Sequence, residues 1–350
     1  MSIVSLTMGA VRRRRTAWIS PLVSRVLGAV VVLAGGIWVF ANLAADPDRF
    51  LGSLLVGLQN GLLYALVALG YTMVYGIIEL INFAHGDLFM LATIVSAGLL
   101  VGVMGVSDIT VATIVPLLVA LIVCIAFGSL INVTAEFVAY RRLRSAPKLA
   151  PLMTAVGLSF LFRGIAQQDY VNGSAQKNWP VVWHGPIVEG VFVYKLLMVV
   201  VITVPLLLAM TYIVTRTKMG KAMRAVAQDQ DGARLMGINV NRTISFTFAL
   251  GGGLAGAAAV LYFLCQTQTY YDTGTQLGLI AFTAAVLGGI GSLSGAVVGG
   301  LSIGIVQAVN EGGAYGLGST WSQSVVFLIL IVLMVFKPEG LFGRPTTEKV

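Results

Sequence analysis

The sequence feature that most constrains the fold is an uncharged apolar stretch, residues 276–310, that small residues interrupt near its middle. Two apolar arms, Gln276–Leu287 and Ala296–Val309, flank the glycine-rich hinge Gly288–Gly295. At about 1.5 Å per residue, a helical arm of about a dozen residues reaches roughly 20 Å, whereas the hydrocarbon core of a bilayer is about 30 Å thick. Each arm alone is therefore predicted to be a poor span, with the hinge at or just inside the membrane boundary.

Non-helical backbone at that depth must be buried in protein or line an aqueous cavity, because lipid offers no hydrogen-bond partners. Short helices interrupted by glycine indicate a transport pathway. An ordinary tight hairpin between two tilted spans is the alternative, and the sequence leaves both open. A similar pattern of two apolar arms around a Gly-containing break runs from Leu51 to Val106 and predicts an internal repeat, in which His85-Gly86 corresponds to Ser294-Gly295.

Composition places the chain among membrane proteins. Charged residues make up 10% of it, where a soluble domain carries about 25%, and hydrophobic residues make up 57%. Mean hydropathy is +0.91. A transmembrane barrel would alternate polar and apolar residues, but the apolar runs here are continuous. The predicted fold class is all-α, a polytopic transmembrane helical bundle of about 8–10 spans with short Gly-interrupted helix pairs.

The net charge of +8 is explained by topology rather than by nucleic acid. Most basic residues lie in the gaps between apolar runs, at the N-terminus (Arg12–Arg15), in segments 141–148 and 215–242, and in the tail. The positive-inside rule assigns these regions, and both termini, to the cytoplasm. The two cysteines lie far apart in apolar segments and only two histidines occur, so neither a disulfide framework nor a structural metal site is expected.

The apolar runs divide the chain into predicted helices. Residues 1–50 form an N-terminal extension in which Pro21–Ala45 is either a retained helix or part of a cleaved signal peptide. The remaining predicted runs are Leu51–Ile78, the following run to Val106, Ile109–Ala139, Leu149–Ala166, Val191–Val214, Thr243–Leu264, the two arms described above, and Trp321–Phe336. Gln167–Gly190 is the one long polar loop outside the basic segments.

Polar side chains within the second run share one helical face. Asn60, Tyr64, Tyr71 and Tyr75 recur at helical spacing and predict a helix that faces neighbours or a cavity. Five ionisable residues near the inferred segment ends are candidate functional groups, and an interfacial position is expected for each: Glu79, His85, Asp87, Glu136 and Arg163. The sequence shows no chain of such groups for a proton relay and no catalytic constellation, so the chain is not expected to be an enzyme.

A second polar segment, Lys218–Arg242, predicts a short amphipathic helix. Its apolar residues recur at helical spacing, Asp229 and Asp231 stand near the helix start, and Arg234 precedes the helix-stopping Gly237. Such a helix could dock into a groove on a soluble partner or lie flat among lipid headgroups. The apolar face is formed by Met219, Ala222, Met223, Val226, Ala233 and Met236.

Glycine spacing predicts close helix packing rather than nucleotide binding. The segment Gly251–Gly256 fits a dinucleotide-binding pattern, but it lies inside an apolar run with no strand before it, and the chain has no Walker A loop. GxxxG spacing instead lets helix backbones approach closely. It occurs at Gly252 and Gly256, at Gly291, Gly295 and Gly299, and at Gly300 and Gly304.

Several motifs together resemble the LivH-type permease of branched-chain amino-acid ABC importers, over about Leu51 to Val350. The residues that carry the resemblance are Ala65–Ile78 with Ile81–Gly86, Met223–Ala225 with Leu235–Asn239, Ala281–Ser292, and Gly340–Pro345 with Glu348–Val350.

The resemblance implies an inner-membrane permease subunit that pairs with a second, related permease, two ATPase subunits and an extracytoplasmic substrate-binding protein. The partners would use ATP, and this chain would bind no cofactor. Segment 215–242 would be the coupling element, although the standard motif's glutamate is missing and Arg224 stands near that point. The implied coupling residues are Arg224, Ala225, Asp229, Asp231, Gly232, Arg234 and Gly237.

The predicted substrate pathway combines the polar face of the second run with residues at the two breaks. Its candidate residues are Asn60, Tyr64, Asn82, His85, Gly86, Thr283, Gly288, Gly289 and Ser292. Permeases for urea or short amides are the alternative within the resemblance. A stand-alone channel or ion-coupled carrier, and a membrane scaffold that transports nothing, are alternatives from other classes.

Overall fold

The structure is a computed structural model that describes residues 21–80, 82–144, 146–147, 149–188, 190–337 and 339–343. The basic cluster at residues 12–15 and the final residues 344–350, on which the predicted orientation and part of the resemblance rest, lie outside the described residues.

The described chain is predominantly helical, which confirms the predicted all-α bundle. It forms twelve α-helices: α1 Pro21–Ala45, α2 Pro47–Ile78, α3 Ala84–Ala97, α4 Ile114–Val138, α5 Leu149–Ala166, α6 Val193–Arg216, α7 Lys218–Gln228, α8 Gln230–Leu235, α9 Val240–Gln266, α10 Thr273–Gly288, α11 Leu293–Gly312 and α12 Ser319–Phe336. A π-helical turn, Gly98–Val103, prolongs α3, and 3-10 turns occur at Val111–Thr113 and Tyr140–Leu143. Within the described ranges, eight helical segments are long and apolar enough to cross a membrane.

Six two-residue strands tie the loops together at one end of the bundle. The parallel pair is β1 Asp108–Ile109 with β3 Val182–Trp183, and the antiparallel pairs are β2 Lys177–Asn178 with β6 Gln268–Thr269 and β4 Ile187–Val188 with β5 Val191–Phe192. We call this the outer end. The opposite end, which carries α7 and α8, is the inner end. The long polar loop predicted after α5 is thereby pinned to the loop after α9.

Side-chain caps explain where the main helices begin. Asp46 accepts a hydrogen bond from the backbone of Arg49 before α2, and Pro47 occupies the first turn, where its missing N–H costs nothing. Asn239 caps α9 in the same way. Ser292 caps α11 by accepting from the backbone of Gly295. Polar residues that interrupt apolar runs thus set the helix starts.

Helix α2 is the central helix, and glycines allow its neighbours to approach. A Cβ added at Gly61 would come within 2.8 Å of the backbone of Leu301 in α11, and one at Gly304 within 2.4 Å of Gly61. Helices α4 and α9 meet similarly, because a Cβ at Gly252 would lie 2.2 Å from the carbonyl of Gly128. The close helix packing predicted for the pairs Gly252 with Gly256 and Gly300 with Gly304 is therefore confirmed.

The structure corrects three sequence predictions about the breaks. Helix α11 has 20 residues and is long enough to span, because the Ser292 cap starts it earlier than the predicted arm. Gly291 lies in the turn with φ +90° rather than inside a helix, and its own Cβ position faces open space. The first break, residues 79–83, contains no glycine, since Gly86 lies inside α3. Glu79 instead ends α2 in the left-handed conformation.

Close packing at Gly256 generates a stability prediction. A Cβ there would lie 2.0 Å from the Cys124 carbonyl oxygen, so Gly256→Ala must push α9 away from α4. We expect the free energy of unfolding to fall by about 1–3 kcal/mol, which would be measured as a lower melting temperature of the detergent-solubilised protein.

The matched control is Gly157→Ala, because Gly157 is also inside a helix but has open space where a Cβ would be. This variant should melt at the same temperature or slightly higher, since alanine favours helix. Equal melting temperatures for the two variants would contradict the close-packing account.

Candidate functional site

The first turn of α3 lies inside the bundle. His85 is 1% exposed, and a Cβ at Gly70 of α2 would come within 2.4 Å of its Nε2. Tyr71 packs edge-on against the same ring, with the centroids 4.8 Å apart. Gly70 in turn lies against the Gly251 carbonyl near the middle of α9. Because both glycines lie well inside long helices, the interfacial position expected for His85 is wrong.

A polar network joins this helix start to α5 and to the loop before α10. Ser159 donates a hydrogen bond to Asp87, and Arg163 lies 3.9 Å from Asp87 and 3.7 Å from Asp272. Asp87 is also buried between helices, and its position relative to the membrane boundary stays a prediction. A carboxylate in the first turn of a helix is stabilised by the helix dipole. Asp272 was not predicted as part of this network, because only the fold brings it near Arg163.

The predicted polar face of α2 leads inward from the outer end. The Tyr64 hydroxyl donates to Oε1 of Gln307 at 2.9 Å, and the Gln307 amide donates to Glu311 at 3.0 Å. Asn60 lies one turn nearer the outer end and is half-buried. Asn60 and Tyr64 were predicted, but Gln307 and Glu311 were not, although Gln307 is a polar residue within the predicted apolar arm and Glu311 follows it one turn later.

A cavity of about 520 Å³ opens at the outer end of this face. The N-terminus of α2 forms one wall and the C-terminus of α11 forms the other. Its lining residues are Asp46, Asp48, Arg49, Gly52, Ser53, Val56, Ala308, Glu311 and Gly312. Toward the inner end, the same α2 face borders a narrow aromatic groove lined by Tyr71, Thr72, Tyr75, Leu80, Phe282, Ala285 and Ile290. The polar face of α2 thus lies between the outer cavity and the inner aromatic groove.

The hinge residues predicted to line the pathway make backbone contacts. A Cβ at Gly288 would lie 2.0 Å from the Gly295 carbonyl, and one at Gly289 would lie 2.4 Å from the backbone nitrogen of Gly343. Ser292 accepts a hydrogen bond from the Gly295 N–H at 3.1 Å. These contacts close the α10–α11 turn and seat the C-terminal segment on it.

The other predicted pathway residues lie around the first break. The Tyr140 hydroxyl donates to Asn82 at 2.8 Å, and Gly86 packs against the backbone of α10. Thr283 is buried and donates to a carbonyl one turn earlier in its own helix. The structure brings His85, Gly86 and Tyr71 together near α10, whereas Asn60 and Tyr64 lie toward the outer end. A role for these residues in transport stays a prediction.

At the inner end, the short helix predicted to start at Asp229 is α8, and a second helix, α7, precedes it within the amphipathic segment. Thr217 caps α7 and Asp229 caps α8, accepting from the Asp231 N–H at 3.0 Å. The apolar face of α7, including Met223 and Val226, is buried against the bundle itself. That face is therefore not free to dock on a partner, because the chain's own helices cover it.

The remaining coupling candidates shape the turn around α8. Arg224 donates to the Val214 carbonyl at the end of α6, and Ala225 packs on the core. Gly232 lies beside the Asp229 carboxylate. Arg234 lies 3.0 Å from Asp231. Gly237 ends the turn with φ +80°, a conformation that favours glycine.

Two large apolar side chains project from the tip of α8. Leu235 is 89% exposed and Met236 is 83% exposed. Met236 was predicted on the apolar face together with Met223 and Val226, but it falls in the turn that ends α8 and is exposed, whereas those two residues are buried. Leu235 was not among the residues predicted to contact a partner protein.

A buried carboxylate stands next to the coupling segment. Glu136, at the inner end of α4, is 0% exposed and accepts hydrogen bonds from Arg141 at 2.8 and 3.1 Å and from Ser245 at 2.7 Å. Arg144 pairs with the same carboxylate and also donates to Asn241 of α9. The network fastens α4 to the start of α9, where segment 215–242 ends.

Comparison with known proteins identifies the family. The family model described as "Branched-chain amino acid transport system / permease component" matches residues 53–335. The chain belongs to this family. It is 38% identical over 313 residues to the permease protein BraD of Pseudomonas aeruginosa, a match that covers 86% of this chain and 98% of that protein. It is 37% identical, with the same coverage, to the LivH permease proteins of Salmonella typhimurium and Escherichia coli K12. All three relatives are named for high-affinity branched-chain amino acid transport.

No solved structure matches the chain. The chain is thus a multi-pass membrane protein of a transport permease family, and its family membership agrees with the resemblance noted from the motifs.

The Asp87 network yields a second stability prediction. Arg163→Met removes the cation near the buried Asp87 carboxylate. We expect the free energy of unfolding to fall by about 3–5 kcal/mol. Adding Asp87→Asn should restore part of that loss, because the uncompensated charge is then gone. A double-mutant cycle on SDS-induced unfolding in detergent measures the coupling.

Arg142→Met is the control, since Arg142 is exposed at the inner end. This variant should leave the free energy of unfolding nearly unchanged. Strictly additive losses for Arg163→Met and Asp87→Asn would contradict the proposed coupling between the two residues.

Proposed function

We propose that this chain is the membrane-spanning permease subunit of an ABC importer for branched-chain or other hydrophobic amino acids. The observation that carries the proposal is the near-complete coverage of relatives named for this transport, at 37–38% identity. The chain acts with ATPase subunits, a second related permease and an extracytoplasmic binding protein. It lies in the bacterial inner membrane with both termini in the cytoplasm.

The arrangement of charge and helix ends supports this orientation. The basic turn after α4 and the start of α9 meet at the inner end, where Arg144 bonds to Asn241, and α7 and α8 lie there too. Cytoplasmic loops carry an excess of Lys and Arg. The inner end is therefore assigned to the cytoplasm, and the strand-linked loops at the outer end face the binding protein.

The exposed tip of α8 supports energy coupling through a partner. Large apolar side chains exposed on a short, capped helix are suited to insertion into a groove on another protein. Leu235 and Met236 supply these side chains. The caps at Asp229 and the turn at Gly237 hold them in place, so motion of a docked ATPase would be passed to α7 and α9.

The substrate and the energy source of transport can be tested together by uptake measurements. Reconstituted with its partners, the transporter is expected to take up radiolabelled leucine only when ATP is present. Urea and acetamide should not compete when present in excess. Uptake driven by an ion gradient without ATP would instead support a stand-alone carrier, and the absence of any flux would support a scaffold.

The coupling role predicts a selective defect. Leu235→Asp or Met236→Asp should reduce ATP-dependent leucine uptake at least about tenfold, because burying an unpaired carboxylate in an apolar groove is costly. Arg234 or Gly237 replaced by bulky or acidic residues should also uncouple ATP hydrolysis from uptake. Uptake and ATPase activity are measured in the same proteoliposomes.

Leu317→Asp is the matched control, because Leu317 is 64% exposed but lies in the loop between α11 and α12 at the opposite end. It should import leucine normally. Normal uptake by both α8 variants would argue against the assignment of α8 as the docking helix.

A further inference from the structure

The outer cavity between α2 and α11 contains opposite charges that are not paired with each other. Arg49 donates from Nε to the Gly312 carbonyl, and Glu311 accepts from Gln307. Both residues line the cavity, yet among the described residues no ion pair joins Arg49 to Glu311 or to Asp48. Opposite charges that share one cavity without pairing leave room for a ligand that carries both charges.

The two helix ends at the cavity already carry charged groups of the chain itself. Asp46 caps the N-terminus of α2, with Asp48 in the first turn, and Arg49 donates to the Gly312 carbonyl at the C-terminus of α11. The charges left to meet a ligand are therefore side chains, with Arg49 as the one cation among the lining residues and Glu311 as the anion on the α11 side.

The rest of the lining suits a short aliphatic side chain. Val56 and Ala308 contribute apolar surface, and the volume of about 520 Å³ falls in the range of small-molecule sites. The hydrogen-bonded series from Glu311 through Gln307 to Tyr64 leads from the cavity along α2. A ligand released at the outer end would thus meet this cavity before the polar face of α2.

We propose that this cavity is a receiving site for the zwitterionic head group of an α-amino acid, with Arg49 binding the carboxylate and Glu311 binding the ammonium group. This inference rests on the proposed function and deepens it. It adds a head-group site on the permease itself, separate from the coupling segment and from the buried His85 region.

The test uses the full permease–ATPase complex in nanodiscs, without the binding protein, and saturation-transfer NMR, which detects weak binding. Leucine is compared with leucinol, which lacks the carboxylate, and with 4-methylpentanoate, which lacks the ammonium group. The wild type should prefer leucine over both. Arg49→Gln should lose the preference over leucinol, and Glu311→Gln should lose the preference over 4-methylpentanoate, each by about tenfold or more.

Opposite selectivity changes in the two variants cannot arise from general damage to the fold. The controls, Lys177→Gln and Asp108→Asn, remove one charge of each sign from exposed positions at the same end and should leave both preferences unchanged. Unchanged preferences in Arg49→Gln and Glu311→Gln, or no leucine signal from the wild type, would overturn the inference.

Uptake separates this inference from the proposed function. If the wild-type transporter with its binding protein imports no branched-chain amino acid, the proposed function fails. If it imports leucine and the cavity variants keep wild-type selectivity, only the receiving site fails.

Discussion

Direct contact between helix backbones is the constraint on which the rest of the structure depends. Inside a membrane, helices gain little from the hydrophobic effect and associate through close packing instead. Glycines in α2, α4, α9 and α11 let backbones meet where any side chain would clash, as at Gly61 with Leu301 and Gly128 with Gly252. Once these pairs are fixed, α2 has neighbours on most sides, and its polar face meets the outer cavity, the α11 residues, His85 of α3 and the inner groove.

The same packing explains how a helix start comes to lie inside the bundle. Because Gly86 packs against the backbone of α10 and Gly70 makes space for the His85 ring, α3 begins deep among its neighbours rather than at a surface. Its carboxylate, Asp87, is then held by the helix dipole, by Ser159 and by the nearby Arg163. A buried carboxylate needs partners, and α5 supplies Asp87 with Ser159 and Arg163, while Asp272 before α10 lies near the same arginine.

Much of the fold could be predicted from the sequence, because apolar runs and polar interruptions are local signals. The predicted limits of α1 and α5 agree with the structure, and Asp229 and Gly237 bound α8 as their helix-end preferences indicate. Prediction failed where tertiary contacts decide. His85 looked interfacial because it adjoins a break, and Met236 was grouped on one apolar face with Met223 and Val226, whereas the structure buries those two and exposes Met236. Asp272 and Gln307 gained their significance from neighbours distant in sequence, Arg163 and Tyr64 respectively.

The central claim is that the chain is a permease whose inner tip, at α8, contacts a cytoplasmic ATPase. The most direct measurement is site-specific cross-linking in intact cells from Met236→Cys, using the two buried native cysteines as an unreactive background. The account predicts a cross-linked product with an ATPase subunit and no labelling by a membrane-impermeant thiol reagent added outside. Labelling from outside, or cross-links to membrane proteins alone, would contradict it.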